Sequence, residues 1–199
     1  SMGDDRETLK VINNFAIRLI SLPTKNELAW FVAREVVGQL GFEDCVVYFY
    51  DDQKNVLRQI AAIGEEKNPT DNEIRNPLEI AMGQGITGHV AQFQQPALIN
   101  ELTEDRRYIP DNGPARSEIC VPLVADGQLY GVIDSESPVS HHFTAAHLET
   151  LTTVAAMASA KLKLLEQDSS LEMAERLLAA ENQTLKALHT AETANRAKS

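Results

Sequence analysis

The strongest constraint on this chain lies at its C-terminal end. From Thr144 to Ser199 there is no glycine and no proline, so nothing in that stretch breaks a helix that Thr144 can open. Within it, Met157, Leu164, Leu171, Leu178 and Leu185 recur at every seventh position. Seven residues fall slightly short of two helical turns, so such a seam drifts around the helix and is held in register by supercoiling with a partner helix. The companion positions three further on are Ala160, Gln167, Ala174, Glu181 and Leu188, which leaves the seam interrupted on one side. A helix over 145–198 would extend about 80 Å at ~1.5 Å per residue. Its distal half must then pack on another chain or stand in water. A solvated overhang satisfies that condition, and so does a parallel coiled coil. The strict leucine register favours the coiled coil and predicts a homodimer through this helix, with the first helix joining the bundle. Gln167 and Glu181 would weaken that dimer and keep it switchable.

Charge sorts the possible partners. Eighteen basic against 29 acidic residues give a net charge of −11. Residues 145–199 hold six basic and seven acidic side chains, so −10 of that charge sits on residues 1–144. No basic face is on offer to release counterions from phosphates, and an anionic membrane would repel the globular part. The expectation is therefore no nucleic-acid partner and no membrane partner. No apolar run approaches the ~20 residues of a membrane span, and Ser1-Met2-Gly3 reads as a cleavage scar, with no signal-peptide pattern after it. Cys45 and Cys120 lie in apolar, strand-like runs; two cysteines do not make a disulfide scaffold. These features predict a reduced, cytoplasmic setting.

Along the chain, Leu9, Ile12, Ala16 and Leu19 mark a first helix over 5–21, ended by Pro23. Thr24 caps a second helix that stops at Gly41. Cys45–Tyr50 and Val56–Ile63 read as a β-hairpin, residues 64–77 as loop, and Leu78–Ala81 as a short strand. A short helix follows Gly83-Gln-Gly-Ile-Thr-Gly88, then a strand at Ala97–Asn100 and a charged loop over 101–116. Two strands, 117–125 and 128–135, flank an Asp126-Gly127 turn. Helices bracketing about six strands joined by hairpin-length turns predict an α+β domain built on an antiparallel sheet.

Period-two alternation gives that last hairpin its chemistry. Glu118, Cys120 and Pro122 share one face of the first strand; Tyr130, Val132, Asp134 and Glu136 share one face of the second. Glu118, Asp134 and Glu136 can therefore converge, while Ile119, Val121, Leu123, Leu129 and Ile133 suit a helical layer. Three carboxylates in a cleft do not all stay ionised without a cation. A ligand ammonium would serve, as in an amino acid or a polyamine; so would the loop arginines Arg106, Arg107 and Arg116. No Asp-rich loop of calcium spacing is present. With Cys120 on the same face and Tyr108 in the adjacent loop, the predicted ligand-binding set is Glu118, Asp134, Glu136, Cys120 and Tyr108. No catalytic residue, metal ligand or cofactor is assigned. His141, His142 and His147 read as exposed loop histidines, since no cysteine accompanies them. His89 reads as structural and Trp30 as core. Gly83-x-Gly-x-x-Gly88 lacks the βαβ context of a dinucleotide site.

The run Gly83-Gln-Gly-Ile-Thr-Gly88, Gln95-Pro96, Ser117-Glu-Ile-Cys-Val-Pro-Leu123, Gly131-Val-Ile-Asp-Ser-Glu136 and Phe143-Thr144 resembles a GAF domain. The resemblance implies a six-stranded antiparallel sheet with helices on one face and a small-molecule pocket on the other. It implies no particular ligand. Free methionine sulfoxide reductases, which are also GAF proteins, carry carboxylates at the positions matching Glu118, Asp134 and Glu136. Their Gly-Val-Cys-Gly turn reads Gly85-Ile86-Thr87-Gly88 here, so the matching residue has no thiolate. The tail Ala191-Glu-Thr-Ala-Asn-Arg-Ala-Lys-Ser199 is similar to the helix leading into the phosphoacceptor box of sensor histidine kinases. The expected layout is an N-terminal helix over 1–22, a GAF domain over 23–160 and a signalling coiled-coil helix over 161–199. The expected function is a non-enzymatic small-molecule sensor passing ligand state to a C-terminal kinase output domain. A ligand-free dimerisation module is the alternative.

Overall fold

The computed structural model describes residues 2–64, 74, 76–109 and 113–198. The expected loop over 64–77 lies mostly outside them. Helix α1 (Met2–Ile20) precedes α2 (Lys25–Leu40), and strands β1 (Cys45–Asp51) and β2 (Val56–Ile63) form a hairpin. Strand β3 (Glu79–Ala81), helix α3 (Gly85–Phe93) and strand β4 (Ala97–Ile99) follow. Strands β5 (Ser117–Ala125) and β6 (Gln128–Ser137) lead to the long helix α4 (Ala145–Lys198). None of the helices is long and apolar enough to cross a membrane, among the described residues.

Local chemistry sets the element ends. Thr24 accepts the Glu27 N–H at 3.1 Å to open α2, and Gly41 closes it in the left-handed region at φ 73°, its N–H on the Val37 carbonyl. On α1 the buried residues are Phe15 and Leu19, while Leu9 is exposed. The stripe expected through Leu9 and Ala16 is therefore rotated: the Phe15 ring stacks on Phe31 of α2 at 5.2 Å, and that aromatic contact turns the helix. Arg18 reinforces it with an ion pair to Glu35 and a cation–π approach to Phe31.

The six strands form one antiparallel sheet in the order β3-β2-β1-β6-β5-β4. The two central strands, β1 and β6, come from opposite ends of the domain sequence and meet through Val46↔Asp134 to Phe49↔Gly131. A Cβ on Gly131 would lie 1.9 Å from the Tyr48 carbonyl oxygen, so only glycine lets β6 approach β1 this closely. Val47, Ile119, Val121, Leu123 and Ile133 are buried on one face, and α2 packs against β1 and β2. The other face is not left bare. Helix α3 packs against β5, β6 and β3, with Ile86, Val90 and Ala91 in one apolar cluster with Val46, Tyr48 and Val132. Gly88 permits that approach, since a Cβ there would meet the Ala81 carbonyl oxygen at 2.6 Å.

The chain divides into two compact units, Ser1–Leu162 and Lys163–Ser199. In the first, α4 buries Leu151, Val154, Ala155, Ala158 and Leu162. In the second, Leu164, Leu171, Leu178 and Leu185 are each between 55% and 59% exposed.

Candidate functional site

Strand register builds the site. In the β5–β6 hairpin Glu118 lies opposite Glu136 and Cys120 opposite Asp134; β1 then places Val46 beside Asp134, and β4 places Ala97 beside Cys120. Each row crosses the sheet on the α3 side. One carboxylate oxygen from each of Glu118, Asp134 and Glu136 lies within 4.8 Å of the others. Glu118 is only 4% exposed and Asp134 only 3%; Glu136 is half-buried. The Glu118 Oε2 and Asp134 Oδ1 atoms are buried and accept no hydrogen bond among the described residues, although both side chains have other interactions. Like charges set directly opposite on a sheet repel, so Glu118 opposite Glu136 calls for compensating positive charge.

Among the described residues, a phenol, a thiol and a guanidinium interact electrostatically with these carboxylates. Burial, then the negative charges of Asp134 and Glu136, hold the Tyr48 phenol far above its ordinary range. Tyr48 therefore keeps its proton and can donate it in a hydrogen bond. Burial, followed by Asp134 and Glu118, likewise pushes the Cys120 thiol well up. It remains a thiol and has no nucleophilic character. Tyr108 packs partly buried against the same apolar cluster.

The loop arginines divide their attention. Arg107 grips Asp105 with Nε at 3.0 Å and Nη2 at 2.8 Å. That hydrogen-bonded carboxylate raises the guanidinium pKa most, and Glu118 adds to it through space. Arg116 is bound to Glu101 at 2.7 and 3.0 Å, and Arg106 is exposed. Of the three arginines expected as possible counter-ions, Arg107 is the one whose charge reaches Glu118, and it does so while held by another carboxylate.

One further residue fixes the site from outside. Asp44, just before β1, accepts the Glu136 N–H at 2.8 Å and the Ser135 hydroxyl at 3.1 Å through Oδ1. Its carbonyl accepts the same hydroxyl at 2.7 Å. Neither Asp44 nor Tyr48 is among the sequence-predicted site residues. Alternation along β1 puts Val46, Tyr48 and Tyr50 on one face, but nothing local says that β1 will pair with β6.

The GAF domain profile matches residues 24–162. The chain belongs to the GAF domain family. This GAF chain is 29% identical over 145 residues to the Nif-specific regulatory protein of Azospirillum lipoferum, and likewise to that of Azospirillum brasilense. Each match covers 67% of this chain but spans only 22% of the relative's length. Among solved structures it is similar to a GAF domain from a phosphoenolpyruvate-protein phosphotransferase of Coxiella burnetii, with TM-score 0.73 and 16% identity over 83% of this chain and 98% of that one. A GAF sensor protein structure from Burkholderia vietnamiensis gives TM-score 0.68 and 23% identity over 80% and 98%. The free methionine-R-sulfoxide reductase of Neisseria meningitidis, solved with its substrate, gives 0.71 and 18% over 81% and 91%. At these identities the structures speak for the fold alone.

The GAF fold accounts for both sides of the sheet, and the histidines need a correction. His147 does not lie in an exposed loop: it is half-buried in the first turn of α4, its ring 5.1 Å from that of Phe42. Thr87, at the position where the resemblance to the reductases puts a cysteine, is buried in α3.

Proposed function

We propose that this GAF domain is a sensor for a small molecule bearing an ammonium group and an apolar body, and that it has no catalytic role of its own. The observation that carries the reading is the buried convergence of Glu118, Asp134 and Glu136 beside an apolar wall from β1, β6 and α3. A cationic head satisfies the carboxylates, and an apolar part is matched by Tyr48, Val132, Ile86 and Tyr108. Against catalysis stand Thr87, a residue without a thiol, and Cys120, a thiol kept protonated. The free, buried Cys45 and Cys120 fit a reducing, cytoplasmic location.

The exposed leucines of α4 support a homodimer through this helix, and the near-neutral charge of residues 145–199 leaves two copies free to pair. We assign a histidine kinase output domain on the Ala191–Ser199 pattern. A second reading, the sensory segment of a regulatory protein of another kind, is favoured by the similarity to the Nif-specific regulatory proteins. The test is thermal stabilisation by a panel of free amino acids and aliphatic diamines, repeated on Glu118→Gln and Asp134→Asn. Stabilisation lost in both variants supports the reading. An absence of any shift in the parent chain overturns it in favour of a ligand-free dimerisation module, and equal shifts in the variants overturn it by placing the ligand elsewhere.

A further inference from the structure

The first turn of α4 is closed by an unusual pair of hydrogen bonds. Thr144 Oγ1 accepts the His147 N–H at 3.1 Å, and the Thr144 N–H donates back to His147 Nδ1 at 3.1 Å. This is the reciprocal geometry of a capping box, in which Glu or Gln commonly fills the third helical position. Here an imidazole fills it. Because Nδ1 accepts, the neutral ring carries its proton on Nε2.

We propose that His147 is a protonation-sensitive cap on the output helix, closed when the imidazole is neutral and opened when it is charged. Two physical effects act in the same direction. Protonation of Nδ1 removes the lone pair that accepts the Thr144 N–H. It also places a cation at the positive end of a helix dipole. A glutamate at the same position would remain an acceptor throughout the near-neutral range, so the choice of histidine is what makes this cap responsive.

The groups around the ring bear on its titration. From the segment preceding α4, His142 faces it at a ring separation of 6.2 Å, Phe143 at 6.3 Å, and His141 Nδ1 is engaged with the Ser140 hydroxyl. From the segment before β1, Phe42 lies edge-on at 5.1 Å; two residues on, the Asp44 carboxylate accepts from Ser135 and Glu136. On α4 itself, Glu149 is two positions on and does not share the face of His147. Among the described residues, the titratable group that acts on the ring through space is thus another histidine. Burial first, and then His142, lower the His147 pKa from its ordinary 6.5. A folded-state value below the unfolded one gives stability that is present above pH 6.5 and lost as pH falls through the folded-state value.

The experiment is hydrogen–deuterium exchange by mass spectrometry on the full chain between pH 7.5 and 5, corrected for intrinsic rates and followed in peptides covering 142–150. In the parent chain, protection of the Thr144 and His147 amides should fall roughly five- to tenfold across that range, the scale of a lost cap. His147→Glu should hold its protection throughout, and His147→Ala should be unprotected at both ends. His142→Gln should keep the transition and move its midpoint up. A parent chain whose protection does not change with pH overturns the proposal. So does a transition that survives in His147→Glu but vanishes in His142→Gln, which would make His142 the sensor.

Discussion

Neutralising one carboxylate of the site separates the two ways of satisfying it. At an effective dielectric constant of ~20, two ionised carboxylate oxygens 4.8 Å apart repel by about 3.5 kcal/mol. Glu118, Asp134 and Glu136 make three such pairs, and among the described residues Arg107, whose charge reaches Glu118, is already shared with Asp105. Arg107 by itself therefore leaves part of that repulsion in place. Glu118→Gln keeps the side chain's shape and its capacity to accept hydrogen bonds while removing one charge. Because neighbouring positive charge, Arg107 included, offsets part of the repulsion, the expected gain is about 1–3 kcal/mol. For a chain of this size that corresponds to a rise in Tm of roughly 2–10 °C. Trp30, buried in α2, gives a fluorescence signal for the globular unit that the exposed part of α4 does not contribute to. The variant should also lose stabilisation by amines. A drop in Tm of the size expected for an orphaned buried cation, about 3–5 kcal/mol, would refute the reasoning. It would show that Glu118 serves an internal salt-bridged cluster, the other occupancy the sequence allows.

The remaining predictions probe the frame around the site. Gly131→Ala should cost about 4 kcal/mol or more, because its Cβ would meet the Tyr48 carbonyl oxygen at 1.9 Å; circular dichroism should find little folded protein. Gly38→Ala, inside α2 with nothing within 4 Å of the new methyl, should instead raise stability by about 0.5–1 kcal/mol in the same assay. Hydrogen bonds from Arg116 and then Ser140 bring the Glu101 carboxyl down from 4.5 to about 2. Its contribution is present above the unfolded value and lost as pH falls through about 2, so Glu101→Gln should flatten the acid limb of a Tm-against-pH curve. Leu171→Asp with Leu178→Asp should convert a dimer to a monomer in sedimentation velocity without moving the Trp30 transition, since both leucines are exposed within the chain.

What could be read from the sequence was what is decided locally. The Asp126-Gly127 turn and period-two alternation suffice to set Glu118 opposite Glu136, because β5 and β6 are neighbours in sequence as well as in space. Thr24 and Gly41 mark the ends of α2 by their own backbone chemistry. Tyr48 was out of reach for the opposite reason: it enters the site through the β1–β6 pairing, which joins strands separated by most of the domain. Gly131 is the residue that permits that pairing, and in the sequence it looks like any strand glycine. On α1 the apolar residues outnumber those the domain can bury, and only the position of Phe31 decides that Phe15, and not Leu9, turns inward. The covering of the site face by α3 depends on Gly88 meeting the Ala81 carbonyl, a contact equally silent in one dimension.

The same short segment holds both the carboxylate cluster and the root of α4. Asp44 fixes the backbone of Glu136 and the side chain of Ser135; two residues earlier, Phe42 packs edge-on against Phe143 and His147. On the loop side, the Arg116 N–H donates to the Ser137 carbonyl at 2.7 Å, while Glu101 accepts from both Arg116 and Ser140. The His141 N–H closes this side on the Asn100 carbonyl at 2.9 Å. Thus β6 leaves the carboxylate cluster at Glu136 and reaches Ala145 through a connection clamped from two directions. A cation drawing the three carboxylates together acts on Glu136, and through Asp44 on the segment carrying Phe42. On the proposed reading, a ligand biases α4 only to the extent that it binds one arrangement of this clamp more tightly than another. Asp44→Ala should therefore leave amine binding within a few-fold while uncoupling it from exchange protection at residues 144–147. Loss of binding together with coupling would place Asp44 within the site itself.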